Sequence, residues 1–112
     1  MTHEVNKKRS ENSKVTLNNR SEVNLAAKYL NDKAITENQN LTNAIFSDAL
    51  QQNNIVGNSE AFGRTFNAWS EILSSLIAEN NLLNDLWRSI GIDIQLDETG
   101  NIHTIIIVND NT

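Results

Sequence analysis

Phe62, Phe66, Trp69, Leu73, Leu76, Asn80, Leu83, Trp87 and Ile90 follow one another at alternating steps of four and three, and all but Asn80 are apolar. On a helix such a stripe must be covered by other helices, because each large side chain left in water forfeits about 1.5–3 kcal/mol. The spacing predicts a helix from about Glu60 to Ile90, roughly 46 Å long at the usual rise per residue. A rod of that length cannot hide its seam inside a compact monomer.

The preceding stretch offers the facing helix. Ser21 can cap it, with Glu22 well placed in its first turn. Val23, Ala27, Leu30 and Ala34 step at helical spacing, and Leu41, Ala44, Ile45 and Ala49 continue it. Between them Thr36-Glu37-Asn38-Gln39 has the form of a capping box, so 22–52 reads as one kinked helix or two, the single helix being favoured. Asn53 to Asn58, with Gly57, reads as the turn, and Asn58 or Ser59 as the cap of the second helix. From Ile92 the period changes to two. Ile92, Ile94 and Leu96 alternate with polar residues, and after Asp97-Glu98-Thr99-Gly100-Asn101 the apolar run resumes through Ile105-Ile106-Ile107-Val108. Two such runs around a polar, glycine-containing loop predict a hairpin that packs on something else.

The expected fold is therefore mainly α: a long antiparallel, coiled-coil-like helical hairpin over 21–91 and a short β-hairpin over 92–109. Residues 1–20 hold only Val5, Val15 and Leu17 as large apolar groups besides Met1, so they predict a disordered tail. That tail is basic. Lys7, Lys8, Arg9, Lys14 and Arg20 stand against Glu4 and Glu11, whereas the rest of the chain carries four basic and twelve acidic side chains. An acidic body is poorly suited to binding a phosphate backbone. Nineteen asparagines and twelve isoleucines read as the codon bias of an AT-rich genome.

Chemistry is sparse. The chain has no cysteine, so disulfides, thiolate metal sites and cysteine nucleophiles are excluded. His3 and His103 lie at opposite ends, and the paired acids Asp97-Glu98 have no evident acid–base partner. Neither catalysis, a cofactor nor a metal is expected. No stretch of 18 apolar residues could span a membrane, and the basic N-terminus lacks the apolar segment of a cleaved signal. The expected location is the cytoplasm, or outside it by a route that takes signal-less substrates.

Ile72, Ile77, Leu82 and Leu86 widen the apolar face beyond what one neighbouring helix covers, which points to another helical chain, an effector or a second copy, as partner. Trp69, Leu73, Leu76, Asn80, Leu83 and Trp87 are the candidate contact residues, with Asn80 able to set register. Phe62 and Phe66 would meet the small residues of the first helix.

The stretches Ile35-Thr36-Glu37-Asn38-Gln39-Asn40-Leu41 and Gly57-Asn58-Ser59-Glu60-Ala61-Phe62, with the heptad run to Leu86-Trp87, resemble the small WXG-like helical-hairpin proteins of type VII secretion. The likeness covers about residues 22–98 and is nearest to the short partners of LXG-type toxins in Firmicutes. No Trp-x-Gly turn is present, since Ser70-Glu71 follow Trp69. The resemblance implies a non-enzymatic partner or targeting factor for a secreted effector. The alternative is a self-associating phage or mobile-element adaptor or regulator, whose Lys7, Lys8, Arg9, Lys14 and Arg20 contact nucleic acid.

Overall fold

The computed structural model describes residues 1–76 and 79–112, with side-chain surroundings not described for Leu73 and Leu76. Its centre is a strand. β4 (Ile102–Asn109) carries isoleucine or valine on both faces, and both faces are covered. It pairs antiparallel with β3 (Ser89–Leu96) on one side and with β2 (Ser59–Phe66) on the other. A two-residue strand, β1 (Asn18–Asn19), adds parallel to β3, giving the sheet order β1-β3-β4-β2.

Helices lie on each side of this sheet. α2 (Ser21–Ile35) and α3 (Asn43–Gln52) cover one face, where Val23, Ala27, Leu30 and Ala49 pack on Ile105 and Ile107. α1 (Thr2–Glu11) and the irregular crossover from β2 to β3 cover the other, where Val5, Leu17, Ile72 and Trp87 pack on Ile102, Ile106 and Val108. That crossover holds a single helical turn, α4 (Trp69–Glu71), a π-type turn (Ile72–Leu76) and a 3₁₀ turn (Asn80–Leu83). The result is a three-layer α/β domain with a mixed sheet, in which all-parallel and all-antiparallel pairing rules both yield to β1.

The expected helical hairpin is thus absent. Phe62 and Phe66 sit in β2 and Ile90 in β3, so the seam from 62 to 90 runs through two strands and three short turns. A step of four is shared by a helix face and a strand face, so 62 and 66 fit either period. What decides is the partner: β2 lies against β4, whose β-branched run stabilises a pleated neighbour. The intervening Asn67, Ser70, Ser74-Ser75, Asn80-Asn81 and Asn84-Asp85 are poor helix formers that leave the crossover irregular. The longest dimension of the molecule, 39 Å, would not hold the expected rod. Ile77, expected on the widened seam, lies outside the described residues.

Two further expectations change. Residues 22–52 form two helices, parted at 36–42, with Asn38 in the left-handed region at φ 51°. Thr42, rather than Thr36, caps the second: its Oγ1 accepts from the Ile45 amide at 3.2 Å. The N-terminal 20 residues are ordered. Val5 and Leu17 enter the core, and Asn6 mimics a strand neighbour by donating to the Leu17 carbonyl (3.0 Å) and accepting from its amide (2.7 Å). Arg9 is fully buried. It donates to the carbonyls of Val15 (2.8 Å), Leu82 (2.6 Å) and Asn84 (3.0 Å), tying α1 to the crossover. Counting large apolar residues missed this, because the segment is held by polar side chains satisfying backbone groups.

α2 approaches β3 so closely that the Gly91 position has no room for a Cβ atom. One built there would stand 2.2 Å from the Val23 carbonyl carbon and 2.4 Å from the Asn24 nitrogen. Backbone cannot yield as a side chain does, so Gly91→Ala should destabilise the domain by about 3 kcal/mol or more. Urea unfolding followed by circular dichroism checks this; a loss below about 1 kcal/mol would mean that α2 sits less tightly on the sheet.

Candidate functional site

On the α2–α3 side of the sheet the outer strand β2 is left partly uncovered. Ser59, Ala61, Gly63 and Thr65 face this side, and the segment between α2 and α3 arches over them. The gap is a cleft of about 660 Å³, with Leu30, Leu41, Phe46 and Ile105 as its apolar wall and Thr42, Asn43 and Ser59 as polar neighbours. Its lining is mixed, with polar and apolar surface in about equal share and Glu60 and Asn81 among the polar members, which suits a small ligand held by both kinds of contact. Leu41, Gly63 and Ile105 also border a second recess of about 250 Å³ that reaches Asn31, Thr65 and His103. The two therefore adjoin along β2.

The polar end of this groove is built by the β3–β4 hairpin. Register Gln95↔His103 places His103 just past the loop that holds Asp97. His103 Nε2 lies 2.8 Å from Asp97 Oδ2, and Nδ1 lies 3.3 Å from the Thr65 hydroxyl. With Nε2–H donating to the carboxylate, Nδ1 is left to accept from Thr65. Asp97 Oδ1 meanwhile accepts from the Thr99 hydroxyl (2.6 Å) and from the amides of Thr99 (2.9 Å) and Asn101 (3.0 Å). The Thr99 hydroxyl first, then the His103 ring, hold the Asp97 carboxyl far below the ordinary carboxylate range. Separation in sequence concealed this acid–imidazole pair; the hairpin register could have revealed it. The chemistry is that of a clasp: every oxygen of Asp97 is engaged in closing the loop.

Asn31 forms the back of the recess. It is buried in α2, and its Nδ2 donates to Asp93 Oδ2 (2.9 Å) and to the carbonyls of Asp93 (3.1 Å) and His103 (3.2 Å). Asp32 accepts from Lys28 and then from Gln95, and both bonds keep its carboxyl below the usual range. Asn31 thus serves as a structural partner of the backbone. Asn109 shows the same use, donating to Val56, Asn58 and Ser59.

Of the residues expected to bind a helical partner, those described do not share a face. Trp87 is buried, its indole nitrogen donating to the Asn81 carbonyl at 2.8 Å, while Trp69 is exposed in α4. Asn80 is exposed at the head of the 3₁₀ turn and Leu83 is half-buried at its end. The Leu73 and Leu76 side chains lie outside the described set. Nor do the basic residues expected to contact nucleic acid form a patch. Arg9 is inside the protein, Lys14 pairs with Asp85 at 2.8 Å, and Arg20 pairs with Glu22. Lys7 is exposed and Lys8 half-buried on α1. Among the described residues no cluster of three metal-ligating side chains occurs, and no helix is long and apolar enough to cross a membrane.

Solved structures share this architecture. A cysteine-rich secretory protein from Staphylococcus aureus superposes with a TM-score of 0.75 at 16% identity, over 98% of this chain and 37% of its own. An outer surface protein from Borrelia burgdorferi gives 0.82 at 12% identity, over 99% of this chain and 90% of its own. An extracellular protein containing an SCP domain, from Bacillus anthracis, gives 0.62 at 17% identity, over 94% and 37%. No family model and no curated protein matches the sequence. The chain spans little more than a third of two of these proteins and nearly all of the third. It has the SCP-like α/β fold, without any cysteine. The likeness to WXG-type hairpins is overturned by this fold, and with it both the type VII partner and the nucleic-acid-binding adaptor.

The depressed Asp97 acidity has a directional consequence. Its folded value lies below the unfolded value of about 3.9, so its contribution to stability is complete above that pH and is lost as pH falls through the folded value. A carboxyl-carbon NMR titration should place the Asp97 midpoint clearly below 3.9, about the value of an unperturbed aspartate. A midpoint at the unperturbed value would show that the clasp does not form.

Proposed function

We propose that this chain is a non-catalytic binding domain whose ligand lies in the groove over β2. The carrying observation is that the 660 Å³ cleft and the 250 Å³ recess adjoin, with Leu41, Gly63 and Ile105 as common walls. An elongated amphipathic small molecule fits it best: an apolar body against Leu41, Phe46 and Ile105, and a hydrogen-bonding end toward Thr65 and His103. Contact with the apolar wall and hydrogen bonds from the polar lining share the affinity, and the groups at the Thr65–His103 end set orientation. This departs from the absence of a small ligand expected from the sequence.

The use of His103 supports binding over catalysis. Its Nε2 is committed to the loop clasp, and the 3.3 Å gap to Thr65 is long for activating a nucleophile. We take the domain to act outside the cytoplasm. The support is that the three proteins sharing its fold are described as secretory, outer-surface and extracellular.

A plug tests the groove. Asn43 is exposed at the start of α3 and borders the cleft, so Asn43→Trp should fill it without altering a residue of the sheet. Titration of the wild-type chain with an anilinonaphthalene sulfonate dye, followed by amide NMR, should move the signals of Leu41, Phe46, Gly63 and Ile105. Asn43→Trp should weaken that binding by on the order of tenfold, equivalent to about 1.4 kcal/mol. Shifts elsewhere, or equal binding by the variant, would remove the groove reading.

A further inference from the structure

The two edges of the sheet are treated differently. The outer edge of β3 is closed over its first half: β1 pairs with Ser89 and Ile90, the Arg20 amide donates to the Ile90 carbonyl, and Asn24 Oδ1 accepts from the Ile92 amide at 2.8 Å. β2 forms the opposite edge over eight residues, without proline and, among the described residues, without a strand beyond it. Long open edges template pairing with another chain, and proteins ordinarily blunt them. Here the edge has a pattern of its own.

Its hydrogen-bonding phase can be read. The Asp110 amide donates to the Asn58 carbonyl, so Asn58 and Asp110 form a hydrogen-bonded pair next to Ser59↔Asn109. By alternation, Glu60, Phe62, Arg64 and Phe66 turn their backbone groups toward β4, and Ser59, Ala61, Gly63 and Thr65 turn theirs to the open edge. A second β2 laid antiparallel about a two-fold axis at Phe62 then opposes Ser59 with Thr65, Glu60 with Arg64, Ala61 with Gly63, and Phe62 with itself. Every outward-bonding residue meets another of its kind, so the phase is satisfied. Both charged residues meet their opposites, twice over by symmetry. Moving the axis to Glu60 or Arg64 sets like charges directly against each other, and moving it to Ala61 or Gly63 loses the Glu60–Arg64 pairs, so the register about Phe62 is the one that opposes both charged residues with their opposites.

We propose that two copies of this chain pair through β2 in this register, joining two four-stranded sheets into one of eight strands. Charge complementarity of the strand with itself identifies the occupant of the edge as a second copy. Arg64 already contacts Glu79 within its own chain, and the guanidinium has donors left for Glu60 of the second copy. On the α2–α3 side the small Ala61 and Gly63 meet beside the axis, flanked by Ser59 and Thr65, and the cleft reaches Glu60 and Phe62 at this edge, so the two grooves lie side by side and run in opposite directions over the joined strands. On the other side the half-buried Phe62 rings meet.

The test is mass by light scattering across a concentration series, with three variants. The wild type should show twice the chain mass. Glu60→Arg, which sets arginine against Arg64, should raise the dimer dissociation constant by on the order of tenfold or more, and Glu60→Arg/Arg64→Glu should restore it. Because the chain has no cysteine, Phe62→Cys should give a single disulfide-linked dimer on oxidation. A non-hydrogen-bonded antiparallel pair sets Cα atoms about 4.5 Å apart, within disulfide reach. A wild type that stays monomeric throughout overturns the proposal. So does a dimer indifferent to both charge variants, and should Phe62→Cys fail to fold, the charge pair decides alone.

Discussion

The domain depends on the contact of backbone with backbone at Gly91. A strand residue normally holds a helix off the sheet by its side chain, at about 10 Å between layers. Here the absent Cβ lets Val23 and Asn24 sit directly on β3. Close seating explains the composition of α2, whose buried face is Val23, Ala26, Ala27 and Leu30, two of them alanine. It also brings Asn24 within reach of the Ile92 amide and Asn31 within reach of Asp93 and the His103 carbonyl. With α2 fixed in this way, the segment leaving its C-terminus must arch over β2, and the groove is the space beneath that arch.

Much of the remaining cohesion is polar and local to backbone groups. Asn6, Asn24, Asn31 and Asn109 each complete hydrogen bonds that a strand or helix neighbour would otherwise supply. Asparagine suits that work because its amide carries donors and an acceptor in the geometry of a peptide group. Buried Arg9 does the same on the other face, donating to three carbonyls. Its desolvation lowers the guanidinium's basicity, Arg88 adds to that, and Asp85 offsets part. A small domain with few aromatics thus closes its backbone accounting with side chains rather than longer strands.

The β3–β4 hairpin was legible because its signals are local. Period-two alternation from Ile92 to Leu96 and the glycine-bearing polar loop lie within a few residues of one another. Gly100 adopts φ 84° there, the conformation that the loop requires. The candidate site was not legible. Its wall comes from α2 and α3, its floor from β2 and β4, and its polar end from a loop, so no single stretch of sequence shows it. His103 and Asp97 were both visible, but only the cross-strand register makes them neighbours.

The segment from 60 to 90 shows most plainly what sequence and tertiary structure each decide. By itself the sequence determined the turns at 53–58 and 97–101, and that no disulfide could help. It did not determine the period of β2, because Phe62 and Phe66 satisfy a helix and a strand equally well. That choice fell to β4, some forty residues on, whose isoleucine face offers β2 a pleated partner and a continuous core. Strand pairing is a contact between distant residues, so its energy is invisible in any local window. Only the assembled sheet could make a strand of what reads, alone, as a heptad.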